Sequence, residues 1–250
     1  MIMRWHQILF VTAIGALLLW SFRYPLLQVA TAADGDRVAA ARKGQEAALR
    51  TRCEQAGLPY PPPRVFFRAF KLEKVLEAWG GGKEGDYSLI ASYPWTATSG
   101  KPGPKRREGD SQIPEGFYRV DRFNPRSLYH LSLGINYPNA ADRVHADPKA
   151  PGSDIFIHGK DASIGCIALG DPAIEQAYLL ALGLPGSAPR EIPVHIFPGR
   201  MDGEAWMAAR FRSPELAEFW ATLEPGYLAF EKSRRVPVVT VKDGIYRVGE

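Results

Sequence analysis

Residues 155–169 read Ile-Phe-Ile-His-Gly-Lys-Asp-Ala-Ser-Ile-Gly-Cys-Ile-Ala-Leu, and they contain one of only two cysteines in the 250-residue chain. The apolar run before His158 predicts a short buried β-strand, because polar and glycine residues bound it. His158 then lies where the strand ends, a position from which a side chain can reach a cleft. Gly159 and Gly165 permit a tight reversal, so that Ser163–Cys166 can fold back toward the imidazole.

The pairing of His158 with Cys166 indicates nucleophilic chemistry. A cysteine thiol has an ordinary pKa of about 8.5, so a cysteine nucleophile needs a neighbouring base or cation, and His158 can supply the base. The backbone N–H groups of Gly165 and Cys166 can stabilise a developing oxyanion. Ser163 can order the turn through hydrogen bonds to the backbone. These parts fit acyl transfer through a thioester, although a packed, inert His–Cys pair fits the same residues.

Other patterns exclude several kinds of site. His145, His158, His195 and Cys166 lack the spacing of H-E-x-x-H or C-x-x-C, so we expect no metal, and we expect no organic cofactor. The serine-hydrolase pattern G-x-S-x-G is absent. Two cysteines do not make a disulfide framework, and we expect Cys53 to be a small, half-buried helix residue. A bridge between Cys53 and Cys166 would remove the nucleophile.

Composition and charge are those of a globular protein with no nucleic-acid partner. Hydrophobic residues make up 46% of the chain, which suffices for one substantial core. The net charge is +4, but the basic residues are interspersed with acids and form no long stripe. An acidic partner, such as a carboxylate-bearing peptide or an anionic membrane surface, is compatible with that charge.

The N-terminal sequence predicts export. Arg4 precedes an apolar run from Ile8 to Trp20, which is typical of a signal peptide or a membrane anchor. Ala30-Thr31-Ala32 fits the cleavage pattern but lies far from that run, so cleavage and retention both stay open, with a buried core helix as the alternative. We assign residues 1–33 to this segment, residues 34–63 to a helical stalk or docking helix with a proline-rich linker, and residues 64–250 to the catalytic domain.

The catalytic region is predicted to be an α+β domain dominated by short strands, with peripheral helices. We expect strands at residues 65–71, 87–95, 117–123, 129–135, 155–157 and 191–197, and a hairpin within 236–248 around Asp243-Gly244. We expect a helical turn at 72–79 ended by three glycines, and helices at 171–182, with Asp171 as cap, and at 215–230. Residues 99–116 should form an exposed loop and residues 137–151 a polar loop.

The strings I-H-G and S-x-G-C-I resemble the active-site signature of the L,D-transpeptidase catalytic domain family, the YkuD-type fold, whose enzymes remodel peptidoglycan. The likeness to its YafK-like branch extends to G-P-K-x-R-E-G-D-x-Q-x-P-E-G-F-Y at 103–118, I-N-Y-P-N at 135–139 and F-W-x-x-L-x-x-G-Y-x-x-F-E at 219–231. It covers about residues 64–248.

The resemblance implies a role for each residue of the motif. Cys166 matches the nucleophile and His158 the general base, and the Gly159 carbonyl matches the group that holds the imidazole in its productive tautomer. Gly165 and Cys166 match the oxyanion-hole turn, which Ser163 opens. Ile164 stands where most members have a second histidine, and the loop is shorter, a form that the YafK-like branch shares. This departure leaves the acyl acceptor open.

The implied substrate is a peptidoglycan stem peptide that contains meso-diaminopimelate, held as a thioester on Cys166. An amine of another stem, a lysine of an envelope lipoprotein or water would then accept the acyl group. The protein would be periplasmic, or tethered to the inner membrane if the N-terminal segment is uncleaved. Candidate substrate-binding residues are Lys105, Arg107, His130, Asn136 and Arg143. A non-catalytic peptidoglycan-binding module and a sortase-like transpeptidase are the alternatives.

Overall fold

The computed structural model describes residues 24–184 and 192–249. The predicted apolar segment at 8–20 lies outside the described residues, as does Glu191, where the predicted strand 191–197 begins. Within the described part of the chain, no helix combines the length and the apolar character that a membrane span requires.

A mixed eight-stranded sheet forms the centre of the molecule, in the strand order β3-β2-β1-β8-β4-β5-β6-β7. Its strands are β1 Arg64–Phe70, β2 Val75–Gly81, β3 Tyr87–Pro94, β4 Gly116–Asn124, β5 Ser132–Ile135, β6 Phe156–His158, β7 Ile167–Ala168 and β8 Pro193–Phe197. A separate antiparallel hairpin joins β9 Val239–Lys242 and β10 Ile245–Val248. The pairs β1–β8 and β6–β7 are parallel, and the other pairs within the large sheet are antiparallel.

Helices cover this sheet. They are α1 Tyr24–Gln55, α2 Ala140–His145, α3 Asp171–Leu182, α4 Glu204–Arg212 and α5 Ala217–Ser233, with a 3₁₀ turn at Pro214–Leu216 before α5. Alternate residues of β1 enter different clusters, since Phe67 packs in the cluster that includes α1 and α3, and Phe70 packs with α4 and α5. Burial of both faces fits the mainly apolar sequence of β1, which Arg68 interrupts as a buried side chain paired with Glu231. The predicted α+β, sheet-rich class with peripheral helices is confirmed.

Helix α1 is longer than the predicted segment, and it is docked on the domain. Ala41, Leu49 and Cys53 are fully buried and belong to the same core cluster as α3. Cys53 is therefore buried completely, whereas the sequence suggested half burial. The division of the chain at the proline-rich segment stays a prediction.

Two predicted elements are wrong. The turn at 72–79 is in fact β2, which pairs with β1 after a reversal in which Lys74 has a φ of 52°. Gly80 lies inside this strand and does not end a helix, and a Cβ there would meet the side-chain ends of Ile90 at 2.6 Å and Leu58 at 2.7 Å. The loop at 137–151 contains α2, which begins at a capping box because the Asn139 side chain accepts hydrogen bonds from two backbone N–H groups.

Smaller differences concern helix ends and exposure. Gly170 is the cap of α3 and Asp171 its first residue, and α4 was not predicted. The loop at 99–116 is irregular as predicted, but residues 103–105 and 113–116 are buried. The buried ammonium of Lys71 donates to the carbonyls of Gly103 and Ile113 and lies 3.1 Å from Glu115. This internal ion pair holds the loop against the sheet.

Candidate active site

The strands β6 and β7 bring the predicted histidine and cysteine to one place. They run parallel, with Ile157 opposite Ile167 and His158 opposite Ala168. Cys166 directly precedes β7, and its Sγ accepts a hydrogen bond from the Phe156 N–H at 3.4 Å and donates to the Asp154 carbonyl at 3.7 Å. The thiol therefore lies against the strand that carries the imidazole. Cys166 and Cys53 are both free, so no disulfide blocks the thiol.

The His158 imidazole is held in one tautomer. Its Nδ1 donates to the Gly159 carbonyl oxygen at 2.6 Å, because a carbonyl can only accept, and this leaves Nε2 as the unprotonated, basic nitrogen. The Tyr129 ring covers the imidazole with 4.7 Å between centroids. Gly159 must be glycine here, since a Cβ would lie 2.8 Å from the Tyr129 carbonyl oxygen. The geometry is that of a general base that is oriented by a backbone carbonyl.

Burial favours the neutral form of both side chains. Burial lowers the pKa of His158, an effect that the Gly159 hydrogen bond only partly opposes. Burial raises the pKa of the Cys166 thiol, while the Phe156 N–H and the Lys105 ammonium act in the opposite direction. A neutral thiol beside a neutral imidazole can react only when the base removes the proton.

Ser163 organises the turn that carries the thiol. Its Oγ donates to the Cys166 carbonyl oxygen at 2.7 Å and accepts from the N–H groups of Cys166 at 3.1 Å and Gly165 at 3.3 Å. Gly165 has a φ of +129°, a conformation that favours glycine. The two N–H groups predicted to stabilise an oxyanion are thus directed at the hydroxyl of Ser163. A substrate oxygen would have to displace or share that hydroxyl.

The predicted substrate-binding residues do not form one cluster. Lys105 is buried, and its ammonium donates to Asp110 at 2.6 Å and to the Arg107 carbonyl, so its charge is already paired. Arg107 is exposed. His130 hydrogen-bonds Glu175 on α3 at 2.8 Å. Asn136 and Arg143 line a different cavity of about 490 Å³, between β4 and the C-terminal hairpin, which neither His158 nor Cys166 lines.

Two residues near His158 and Cys166 were not predicted as site residues. The Arg122 guanidinium pairs with Asp154 at 2.8 Å and lies 4.7 Å from the centroid of the Phe156 ring, so it contacts both residues that hydrogen-bond Cys166. Its side chain is 41% exposed and can meet a ligand. Tyr129, which covers His158, was given no role from the sequence. Their position depends on the pairing of strands that are distant in sequence, so local patterns carry no signal for them.

Comparison with known proteins shows the family of the chain. The family model described as YkuD, the L,D-transpeptidase catalytic domain, matches residues 71–196. The chain belongs to the L,D-transpeptidase catalytic domain family. It is similar to YafK of Escherichia coli strain K12, named as an L,D-transpeptidase, with 37% identity over 188 residues, which is 74% of each chain. The predicted family and its YafK-like branch are confirmed.

Similarity to solved structures is weaker. The helical cell shape determining protein Pgp2 of Campylobacter jejuni, as a K307A mutant, is 21% identical with a TM-score of 0.45, and the match covers 67% of this chain and 59% of that one. L,D-transpeptidase 1 of Mycobacterium tuberculosis is 14% identical with a TM-score of 0.32, over 54% of this chain and 62% of that one.

Proposed function

We propose that the protein is a cysteine acyltransferase that acts on peptidoglycan stem peptides through a thioester on Cys166. The observation that carries the proposal is the hydrogen bond from His158 Nδ1 to the Gly159 carbonyl, which frees Nε2 as a base on the strand against which the Cys166 thiol lies. Membership of the L,D-transpeptidase family supports the substrate class.

Acylation would begin when Nε2 of His158 takes the proton from the Cys166 thiol. The thiolate attacks the diaminopimelyl carbonyl carbon of the stem, and an oxyanion forms. The N–H groups of Gly165 and Cys166 then release the Ser163 hydroxyl and donate their hydrogen bonds to the oxyanion. When the tetrahedral intermediate collapses, the C–N bond breaks and the protonated His158 gives its proton to the departing amine. The stem remains as a thioester, and the released product is the residue beyond the diaminopimelate.

Deacylation would use the same base in the same way. His158 removes a proton from the acceptor, and the acceptor attacks the thioester carbonyl and expels the Cys166 thiolate, which regains the proton. A diaminopimelate amine as acceptor gives a crosslink, a lysine of an envelope lipoprotein gives an attached protein, and water gives a free stem. Ile164, which is 83% exposed, lies within the Ser163–Cys166 turn, where most family members would have a histidine. The site of action would be the periplasm, with the protein free or tethered to the inner membrane.

Recognition of the acidic stem would depend on cations near the thiol. Arg122 fits best, because its guanidinium is partly exposed and lies over Phe156. A stem carboxylate would compete there with Asp121 and Asp154, which pair with this guanidinium. Lys105 would act on the thiol electrostatically, since its ammonium is buried and paired with Asp110. Arg107, Asn136 and Arg143 would contact more distant parts of the wall polymer.

Incubation with purified muropeptides and product identification by mass tests the proposal. We expect products from the wild-type protein and from Cys53→Ala, and none from Cys166→Ala. Treatment with a carbapenem should add its mass to Cys166. If the wild-type protein binds peptidoglycan but yields neither product nor adduct, it is a binding module instead.

A further inference from the structure

We propose that helix α1 positions the catalytic base: Arg37 and Gln45 hold the loop of residues 125–131, and this loop holds His158. The inference rests on the proposed role of His158 as the base. Arg37 and Gln45 would be positioning residues, because neither reaches the reacting atoms itself.

The first contact runs from α1 to the backbone of the 125–131 loop. The Nη1 group of Arg37 donates to the carbonyl oxygens of Ser127 at 2.9 Å and His130 at 2.8 Å. One guanidinium thus binds the loop on both sides of Tyr129, although Arg37 is about ninety residues away from the loop in the sequence. Such a contact fixes the backbone of a loop without contributing to the hydrophobic core.

The second contact runs through side chains. Gln45 Nε2 donates to Glu175 Oε2 at 3.0 Å, and Glu175 Oε1 hydrogen-bonds His130 Nε2 at 2.8 Å. His130 has a φ of 73°, in the left-handed region that histidine adopts uncommonly. Surrounding contacts must hold such a conformation, and those of His130 come from Arg37 on α1 and Glu175 on α3.

The loop in turn contacts the base on two sides. The ring of Tyr129 lies on the imidazole of His158, and the carbonyl oxygens of Tyr129 and Leu131 accept from the Gly159 N–H at 3.0 Å and 3.3 Å. Gly159 provides the carbonyl that fixes the imidazole tautomer. The loop therefore covers the His158 imidazole and anchors the N–H of Gly159, the residue whose carbonyl orients that imidazole. The loop itself is held by Arg37 of α1, through the Ser127 and His130 carbonyl oxygens.

Replacing Arg37 should loosen this cover. The titratable groups on the elements around the base are Tyr129 of the loop, Cys166 before β7, Lys160, whose ammonium bonds the Leu128 carbonyl, and Asp171 at the start of α3. Burial is the main cause of the low pKa of His158, so water entering beneath a loosened Tyr129 should raise that pKa toward its ordinary value.

The test compares Arg37→Ala with Arg42→Ala in the full chain. Arg42 is the matched control, because it lies on the same helix and pairs with Glu46 on α1. We expect Arg37→Ala to lower kcat for acylation about tenfold with little change in KM, since general-base catalysis as a whole contributes roughly a hundredfold or more. NMR titration of the His158 ring, assigned with His158→Gln, should show the raised pKa in Arg37→Ala and not in Arg42→Ala.

Two further variants separate positioning from simple loss of stability. Arg37→Lys keeps a cation and should retain part of the kcat that Arg37→Ala loses. Gln45→Ala should lower kcat by less than Arg37→Ala does. The melting temperature of each variant is recorded. The inference is overturned if Arg37→Ala and Gln45→Ala match Arg42→Ala in both the titration and kcat. If neither the wild type nor any variant forms product, the proposed function fails. The His158 titration then still shows whether α1 acts on His158 through the 125–131 loop.

Discussion

The hydroxyl of Ser163 holds both ends of the Cys166 residue, donating to its carbonyl oxygen at 2.7 Å and accepting from its N–H at 3.1 Å. The same oxygen accepts from Gly165. The turn that presents the thiol therefore depends on one side chain. The Ser99 hydroxyl is also in hydrogen-bond contact with the Ser163 hydroxyl, with 3.2 Å between the two oxygens.

Loss of that hydroxyl should misplace the thiol and its neighbouring N–H groups. We expect Ser163→Ala to slow acylation of Cys166 by about tenfold to a hundredfold, because preorganised donors at an oxyanion are worth that much or more. Ser163→Thr keeps the hydroxyl and should stay close to the wild-type rate. Stopped-flow measurement of carbapenem acylation gives both rates. Equal rates for Ser163→Ala and the wild type would show that the turn holds its shape without the serine.

Removal of the base should affect chemistry far more than folding. His158→Ala should reduce the acylation rate by roughly a hundredfold to ten-thousandfold, the usual contribution of a general base. His145→Ala is the matched control, because His145 hydrogen-bonds the Gly244 carbonyl in the C-terminal hairpin. Single-turnover kinetics measures the rate, and circular dichroism checks the fold. A His158→Ala protein that acylates at the wild-type rate would require another base.

The ion pair of Lys105 and Asp110 should matter for stability and for the thiol. Burial alone would raise the pKa of Asp110, but hydrogen bonds from Lys105 and from three backbone N–H groups lower it overall. Asp110→Ala leaves the buried Lys105 ammonium unpaired and should cost about 3 kcal/mol or more in unfolding free energy. Urea denaturation measures this cost. A change below about 0.5 kcal/mol would mean that water replaces the carboxylate.

Lys105→Met should shift the reactivity of Cys166 with pH. The ammonium lowers the pKa of the thiol, so its removal raises that pKa and moves the alkaline rise in iodoacetamide labelling to higher pH. Lys101→Met, in the exposed part of the same loop, is the control. An unchanged profile for Lys105→Met would contradict the electrostatic role.

Acid should destabilise the protein through His195. This side chain is 3% exposed between the edges of Phe66 and Phe117, and burial, with Arg68 nearby, lowers its pKa to about 3. Between pH of about 6.5 and about 3 the unfolded chain binds a proton that the folded chain does not, so stability falls as the pH falls, by up to about 1.4 kcal/mol per pH unit. His158, whose pKa is also lowered, adds a change of the same sign.

His195→Phe tests that dependence, because a phenyl ring fits among aromatic neighbours and does not titrate. Denaturation at several pH values should show a shallower loss of stability in acid for the variant than for the wild type. The same slope for both proteins would mean that another group controls acid unfolding.

Patterns within short stretches of sequence predicted the parts of the fold that depend on residues close to one another in the chain. The strand before His158, the reversal to Cys166 and helix α3 follow from apolar runs and turn residues within a short stretch. Strand β2 was mistaken for a helical turn because glycines usually end elements, whereas Gly80 and Gly81 lie inside the strand. Arg122, Tyr129 and Arg37 reach the site through pairings between distant segments. No local pattern in one sequence encodes those pairings.

Intact-protein mass spectrometry after brief incubation with a diaminopimelate-containing tetrapeptide stem tests the Cys166 thioester most directly. The wild type and Cys53→Ala should each gain the mass of the acyl group, located on Cys166 by peptide mapping, and hydroxylamine should remove it. Product formation by Cys166→Ala, or an adduct on any other residue of the active wild-type protein, would contradict the account.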